Sequence, residues 1–338
     1  MGKLIVALGS AIALFLLILS PQLAAEGASI GLQQCIRTVV PSLFPFFFLS
    51  GILCRVVSGI RFPPLRVICK RLGIPSGCEA ILALGFLGGY PVGAQSVVTA
   101  WEERRITTQT ARRMLGFCSN AGPSFIFGIA GTYFTSSLIP WVIWGIHIVS
   151  ALLVGLLLPG KETIAGKTIE TKCKHFSVTD ILKSSVRTTA LVCGWIILFR
   201  TLIHYLNIVV LSPLTPVVQV TLAGLLELAN GCMALGNIIG EGERFVLCST
   251  MLAFGGLCVM LQTCSVTEKL GTGYYFPGKM LHALLSLIIS SIVSAFLFPY
   301  GLKILWRPAL LATCAVPITM LFIRKTRNKG GNCTECGV

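Results

Sequence analysis

Long apolar segments, each separated from the next by a short polar or basic stretch, fill nearly the whole chain. Most have about the 20 residues that a helix needs to cross a bilayer. The pattern therefore predicts an all-α polytopic membrane protein. The segments lie at 4–20, 32–57, 78–100, 108–134, 139–158, 186–210, 217–240, 245–267, 280–300 and 302–323.

Two of these segments carry helix breakers at their centres. The stretch "GGYPVG" lies within 78–100, and "ELANG" lies within 217–240. Short basic loops stay in the cytoplasm, and the loops 59–77 and 101–113 are both basic, so 78–100 cannot cross once without exporting one of them. A hairpin that enters and leaves on one face resolves the conflict, because an arm of about ten residues reaches the midplane at roughly 15 Å. We predict re-entrant hairpins at both segments and full spans at the other eight.

This topology places the basic loops and the "RKTRNK" tail on the cytoplasmic face. Pairs of stretches with weak sequence similarity, such as "LGFLGGYPVGAQ" and "LAGLLELANGCM", indicate an internal repeat. Each half then consists of a span, a hairpin, an interrupted span and a span. Because each half crosses three times, the halves form an inverted repeat, as in many secondary transporters. Five of the 27 Lys and Arg residues fall away from the cytoplasmic face: Arg37, Arg200, Arg244, Lys303 and Arg307.

The predicted organisation has five parts. Residues 1–30 form an N-terminal transmembrane helix, which we favour over a cleaved signal peptide of similar pattern. The first repeat occupies 31–159, a basic cytoplasmic loop 160–180 and the second repeat 181–300, and 301–338 forms a last transmembrane helix with a cytoplasmic tail.

Composition agrees with a membrane protein and argues against other classes. Of the 338 residues, 54% are hydrophobic and 12% are charged, whereas roughly a quarter of a soluble domain is charged. The net charge of +15 lies in short runs between apolar segments, so we expect no nucleic-acid partner. Most of the 14 cysteines fall inside apolar runs, where they act as small hydrophobes.

The sequence carries no catalytic motif. Its one aspartate, Asp180, lies in a basic loop, and there is no H-E-x-x-H, G-x-S-x-G or phosphate loop. The pair in "CTEC" cannot complete a four-ligand zinc site by itself. We therefore expect no enzyme activity, no cofactor and no metal.

Broken helices persist inside a membrane only where protein, water or a ligand satisfies the freed backbone groups. Half-helix N-termini would direct amide hydrogens at a carboxylate. The alternative for "SNAGPS" is a kink that only serves helix packing. The candidate solute-binding residues are Gly89, Tyr90, Gly93, Gln95, Ser119, Asn120, Ser124, Glu227, Asn230 and Gly255.

Glu227 is the one acidic residue predicted to lie well inside the membrane. A carboxylate there is costly unless it is protonated or paired. It would couple a proton or Na⁺ to transport, or form a salt bridge to Arg200 or Arg37. The histidines at 147, 204 and 282 lie near span ends, so we expect them at the membrane interfaces.

Five stretches resemble, in order, the YlbJ family of sporulation integral membrane proteins, within the nucleoside-recognition or Gate domain group. The resemblance covers about residues 10–320 and implies a core similar to that of concentrative nucleoside transporters. It also implies a spore-forming bacterium and a small anionic solute, although Gln95 stands where relatives are expected to carry Lys. The stretches are "VVPSLFPFFFLSGIL", "GGYPVGAQ", "FCSNAGPSFIFGIAG", "GLLELANG" and "AFGGLCVMLQ".

Three functions follow from these expectations. The first is alternating-access movement of dipicolinate or another small carboxylate across a bacterial membrane, including a forespore membrane. The alternatives are a non-transporting scaffold or assembly factor for spore formation, and a nucleoside or nucleobase permease. The expected partners are a small-molecule solute and the lipid bilayer, and small residues in the spans allow a homo-oligomer.

Overall fold

The structure, a computed structural model, describes residues 2–57, 63–160 and 177–298. All regular secondary structure in these ranges is helical, which confirms the predicted all-α fold. The predicted last span at 302–323 lies outside the described residues. Within them, the helices long and apolar enough to cross a membrane are Pro21–Leu53, Ile139–Leu157, Val178–Leu206, Glu241–Val266 and Tyr275–Leu297.

The N-terminal region contains α1 (Gly2–Leu19) and one long helix with a π-helical turn in its middle. That helix comprises α2 (Pro21–Gln34), the π turn Cys35–Val39 and α3 (Val40–Val57). It begins at Pro21 rather than near residue 32, because proline is well suited to the first turn, where an N–H has no partner.

Segment 78–100 folds as two short helices, α5 (Glu79–Leu87) and α6 (Val92–Glu102), joined by a tight turn. Gly89 in this turn has a φ of +73°, a conformation that glycine adopts without steric cost. The two helices touch through glycine, since a Cβ on Gly93 would lie 3.1 Å from the Gly85 Cα. The breakers thus form the turn and the contact of a helical hairpin.

Segment 217–240 folds in the same way, as α11 (Pro216–Leu226) and α12 (Leu228–Ala234). Here the helices approach so closely that a Cβ on Gly231 would lie 2.3 Å from the Gly224 Cα. Each hairpin therefore depends on a pair of small residues where its helices meet, which lets the backbones come together.

Two other segments are helices interrupted near their centres. Helices α7 (Thr108–Cys118) and α8 (Pro123–Gly128) are separated by the extended stretch 119–122. Helices α13 (Glu241–Phe254) and α14 (Gly256–Val266) are separated at Gly255, which has a φ of +87°. The first interruption falls within "SNAGPS", where the sequence indicates a break.

The two halves pack on each other reciprocally. Helix α7 contacts α15 (Tyr275–Leu297) while α13 contacts α9 (Ile139–Leu157), and α9 and α15 also contact each other. Within each half, α3 contacts α8, and α10 (Val178–Leu206) contacts α14.

Arg113 joins three elements at one end of the first half. The sequence places it in a basic cytoplasmic loop, but its side chain is buried at 1% exposure. Its guanidinium donates to the carbonyl groups of Leu72, Gly155 and Leu158, at the ends of α9 and of α4 (Pro63–Leu72). It satisfies carbonyls that a helix end leaves without an intrahelical partner.

Candidate functional site

Both hairpin turns and the first helix interruption meet at one small cavity, together with side chains of α14. The cavity has a volume of about 40 Å³, and we call it the central cavity. The residues that these elements contribute to its wall are Gly88, Gly89, Tyr90, Ala121, Gly122, Ser124, Glu227, Leu228, Val259 and Gln262.

Around the central cavity the broken segments touch each other through their backbones. A Cβ on Gly89 would lie 3.0 Å from the Gly122 nitrogen, and one on Gly256 would lie 2.8 Å from the Gly224 oxygen. The second interruption also meets the first hairpin, because the Tyr90 hydroxyl donates to the Leu252 carbonyl over 3.3 Å. Glycine is thus required at these contacts for space as well as for backbone conformation.

Glu227 lies at the turn of the second hairpin and is 3% exposed. Its carboxylate accepts hydrogen bonds from the backbone N–H groups of Ala229 (2.9 Å) and Asn230 (2.6 Å). It therefore caps the first turn of α12. No salt bridge to Glu227 occurs within the described residues, so the predicted pairing with Arg200 or Arg37 is not formed.

Lys279 is a buried lysine beside the central cavity, although the sequence places it at the cytoplasmic face. It is 1% exposed, and its Nζ donates to the Tyr90 hydroxyl at 2.9 Å and to Asn120 Oδ1 at 3.4 Å. The Nζ also lies 4.8 Å from the centroid of the Tyr90 ring. Among the described residues no carboxylate pairs with it, so all the partners that we observe are neutral.

His147 and His282 lie in the interior and not at the membrane interfaces that the sequence predicts. They are 1% and 0% exposed, and their ring centroids are 4.6 Å apart. The Nε2 of His147 accepts from the Ala121 backbone N–H at 3.1 Å, while the Nε2 of His282 lies 3.0 Å from the His147 carbonyl oxygen. The pair holds the first interruption against α9 and α15.

The predicted site residues divide into three groups. Four of them, Gly89, Tyr90, Ser124 and Glu227, line the central cavity. Four others surround it: Ser119 and Asn120 are fully buried in the first interruption, Gly93 packs against α5, and Gly255 lies close to the Tyr90 hydroxyl.

The remaining two predicted residues do not lie at the central cavity. Gln95 is exposed on α6, because it stands on the face of that helix opposite to the glycine that packs on α5. Asn230 is buried at the start of α12, where it lines a different cavity. The central cavity accordingly lacks the polar side chain that the sequence analysis assigned to each of these positions.

Sequence reasoning missed Lys279 and Gln262 as parts of this region. Lys279 follows the loop before the last apolar run of the second half, so hydropathy alone assigns it to an interface. The informative signal was its neighbour Gly278, where a Cβ would lie 2.3 Å from the Gly116 carbonyl oxygen. That close approach carries the adjacent lysine into the interior.

Apolar helices with two hairpins and two interruptions around buried charged groups define a polytopic integral membrane protein. The chain is 23% identical over 336 residues to the sporulation integral membrane protein YlbJ of Bacillus subtilis (strain 168), an alignment that covers 85% of this chain and 79% of that protein. This relative confirms the resemblance of the chain to the YlbJ family of sporulation integral membrane proteins. No family model and no solved structure matches it.

Proposed function

We propose that this protein moves a small anionic solute, dipicolinate or another small carboxylate, across a bacterial membrane during sporulation. The observation that carries the proposal is the meeting of both hairpin turns with interrupted helices at the central cavity. Secondary transporters commonly bind their solutes where discontinuous helices meet near the bilayer midplane. The relevant membrane is proposed to be that of the forespore, with the C-terminus in the cytoplasm.

The charge beside the cavity supports an anion as the solute. Lys279 reaches Tyr90, which lines the central cavity, and it has no carboxylate partner among the described residues. A buried charge without a counter-charge is costly in a membrane, and a solute carboxylate would supply that counter-charge. A neutral nucleoside would not, so this lysine favours the anion carrier over the nucleoside permease.

Glu227 is proposed to serve ion coupling and not solute binding. Its carboxylate already occupies the N-terminus of α12, where an anionic solute would otherwise be attracted. The anion would therefore lie on the Tyr90 side of the cavity. Binding of a proton or Na⁺ at Glu227 would neutralise the carboxylate, so that the coupling cation and the anionic solute could be transported together.

The central cavity is closed in this structure. Its volume of about 40 Å³ is far below the ~150 Å³ cavity that holds a benzene molecule. A ring with carboxylates can enter only if the elements around the cavity separate. The contact between Gly89 and Gly122 is proposed to open, because only backbone atoms meet there.

The reciprocal packing of the halves supports an inverted repeat with re-entrant hairpins. Labelling of single cysteines at Ser76 and Glu103, exposed positions on either side of the first hairpin, tests this topology in inverted and right-side-out vesicles. A re-entrant hairpin requires that both react from the same face. Reaction from opposite faces would show that the segment crosses the membrane once and would refute the inverted repeat.

Uptake of dipicolinate into liposomes that contain the purified protein tests transport. Gly89→Leu should abolish uptake, because the position has a positive φ and no room for a side chain beside Gly122. Gly145→Leu is the matched control, since a Cβ there meets nothing within 4 Å. A well-folded Gly89→Leu protein with normal uptake would refute the site, and absence of uptake by the natural protein would favour the scaffold alternative.

A further inference from the structure

A second and larger cavity opens beside the first turn of α12. Its volume is about 250 Å³, and we call it the polar cavity. Its wall comes from α2, α10, α11 and α12, and it reaches the surface at Asn237, which is exposed. Its polar lining residues are Gln34, Arg200, Asn207, Gln219, Asn230 and Asn237.

Several buried polar atoms of this cavity lack a hydrogen-bond partner among the described residues. They are Gln34 Oε1, Arg200 Nε and both amide atoms of Asn230. Asn230 is only 2% exposed, so the surface does not satisfy it. Leaving a buried polar group without a partner costs about 1–3 kcal/mol, and a cluster of such groups around a cavity of this size indicates that water or a ligand fills it.

The cavity also presents a positive charge. Arg200 forms no salt bridge within the described part of the chain. Its stem lies against α2, since a Cβ on Gly31 would be 3.2 Å from the Arg200 Cβ. Gln219 is already engaged, because its Nε2 donates to the carbonyls of Leu211 (3.0 Å) and Leu214 (2.9 Å). The guanidinium and the amides of Gln34 and Asn230 are therefore the groups left to receive a ligand.

We infer that the polar cavity is a second binding site, specific for a small carboxylate. The guanidinium of Arg200 is suited to a carboxylate, and the two amides can bond further polar atoms of the ligand. The volume of about 250 Å³ exceeds the ~150 Å³ that holds benzene, so an aromatic ring with carboxylate substituents fits.

The position of the site gives it a role as a loading site, and this role rests on the proposed function. Asn230 lines the polar cavity and Glu227 lines the central cavity. The two residues are joined directly, because the Asn230 backbone N–H donates to the Glu227 carboxylate at 2.6 Å. A solute bound at Arg200 would thus lie about one helical turn from the closed central cavity.

Equilibrium binding of radiolabelled dipicolinate to the full-length protein in lipid nanodiscs tests the site. Arg200→Gln should weaken binding at least tenfold, and excess benzoate but not excess chloride should compete in the natural protein. Arg37→Gln is the matched control, because Arg37 is exposed in the π turn and lines neither cavity. Asn230→Asp, which adds a negative charge without changing size, should weaken binding as well.

The possible results separate this inference from the proposed function. Unchanged dipicolinate affinity in both Arg200→Gln and Asn230→Asp, or equal competition by chloride, would overturn the polar cavity as a carboxylate site. Arg200-dependent binding without any uptake by the natural protein would support the binding site and contradict transport. The expected result is that Gly89→Leu still binds dipicolinate through Arg200 but does not take it up.

Discussion

Replacement of Lys279 by methionine should separate a functional from a structural role for this buried cation. The perturbation removes the charge while keeping a side chain of similar length. An anion that replaces the Leu252 carbonyl as acceptor of the Tyr90 hydroxyl would lie no more than about 6 Å from the ammonium, because the Nζ to Oη distance is 2.9 Å and a second hydrogen bond adds at most a similar length. With an effective dielectric constant of about 20, that attraction is worth about 3 kcal/mol, or roughly 100-fold in affinity.

The same substitution should change folding stability much less. Removing the ammonium abolishes a desolvation penalty of several kcal/mol. It also removes charged hydrogen bonds worth about 1.5–3 kcal/mol each and a cation–π contact of about 2 kcal/mol. These contributions oppose each other, so we expect the free energy of unfolding to change by no more than about 2 kcal/mol.

Two assays check this expectation: dipicolinate uptake by proteoliposomes as a function of its concentration, and thermal unfolding in detergent. Lys269→Met is the control, because the Lys269 side chain is 81% exposed and, within the described ranges, pairs only with Glu102 at 3.6 Å. A Lys279→Met protein that unfolds much earlier but transports with unchanged affinity would show that the lysine is structural. A folded variant with natural affinity would refute the charge argument.

Two further predictions concern the second hairpin. Glu227→Ala should lower the free energy of unfolding by about 2 kcal/mol, since it removes the cap of α12. Glu227→Gln should destabilise the protein less and should abolish the dependence of uptake on the coupling ion. Thermal unfolding and uptake at varied pH and Na⁺ check both expectations, and unchanged ion dependence in the Gln variant would refute the coupling role. Gly231→Ala should destabilise the protein by about 1–3 kcal/mol through overpacking, because its Cβ would lie 2.3 Å from the Gly224 Cα. Gly194→Ala is the control and should not destabilise the protein, because a Cβ there meets nothing within 4 Å. Equal unfolding temperatures for the two variants would contradict the hairpin packing.

Much of the architecture could be predicted from hydropathy, charge and breakers. Glycine and proline clustered within a few residues of an apolar run favour a break in the helix, so "GGYPVG" and "SNAGPS" indicated a turn and an interruption, and the structure has both. The start of the second helix was less predictable. Polar residues between 22 and 34 obscure a helix that packs on α10 through Gly27 and Gly31, and hydropathy does not detect that contact.

The candidate site was only partly predictable, because its charged groups come from positions distant in sequence. Glu227 could be found from its isolation in an apolar run. Lys279 and His282 could not, because both lie at the start of the predicted span 280–300, and only tertiary packing decides whether such a residue faces water or the interior. His147 lies near the middle of the predicted span 139–158, so an interior position could have been predicted for it. Gln95 was assigned by analogy of motif, whereas its face on α6 depends on which glycine meets α5.

Reactivity of a single cysteine at Ser124, in a variant without native cysteines, tests alternating access at the central cavity most directly. Ser124 lines that cavity and is partly buried. Our account predicts that membrane-impermeant thiol reagents reach this position from either side of the membrane in turn, and that dipicolinate slows the reaction from both sides. A cysteine that reacts from one side only, or that dipicolinate does not protect, would contradict transport through the cavity.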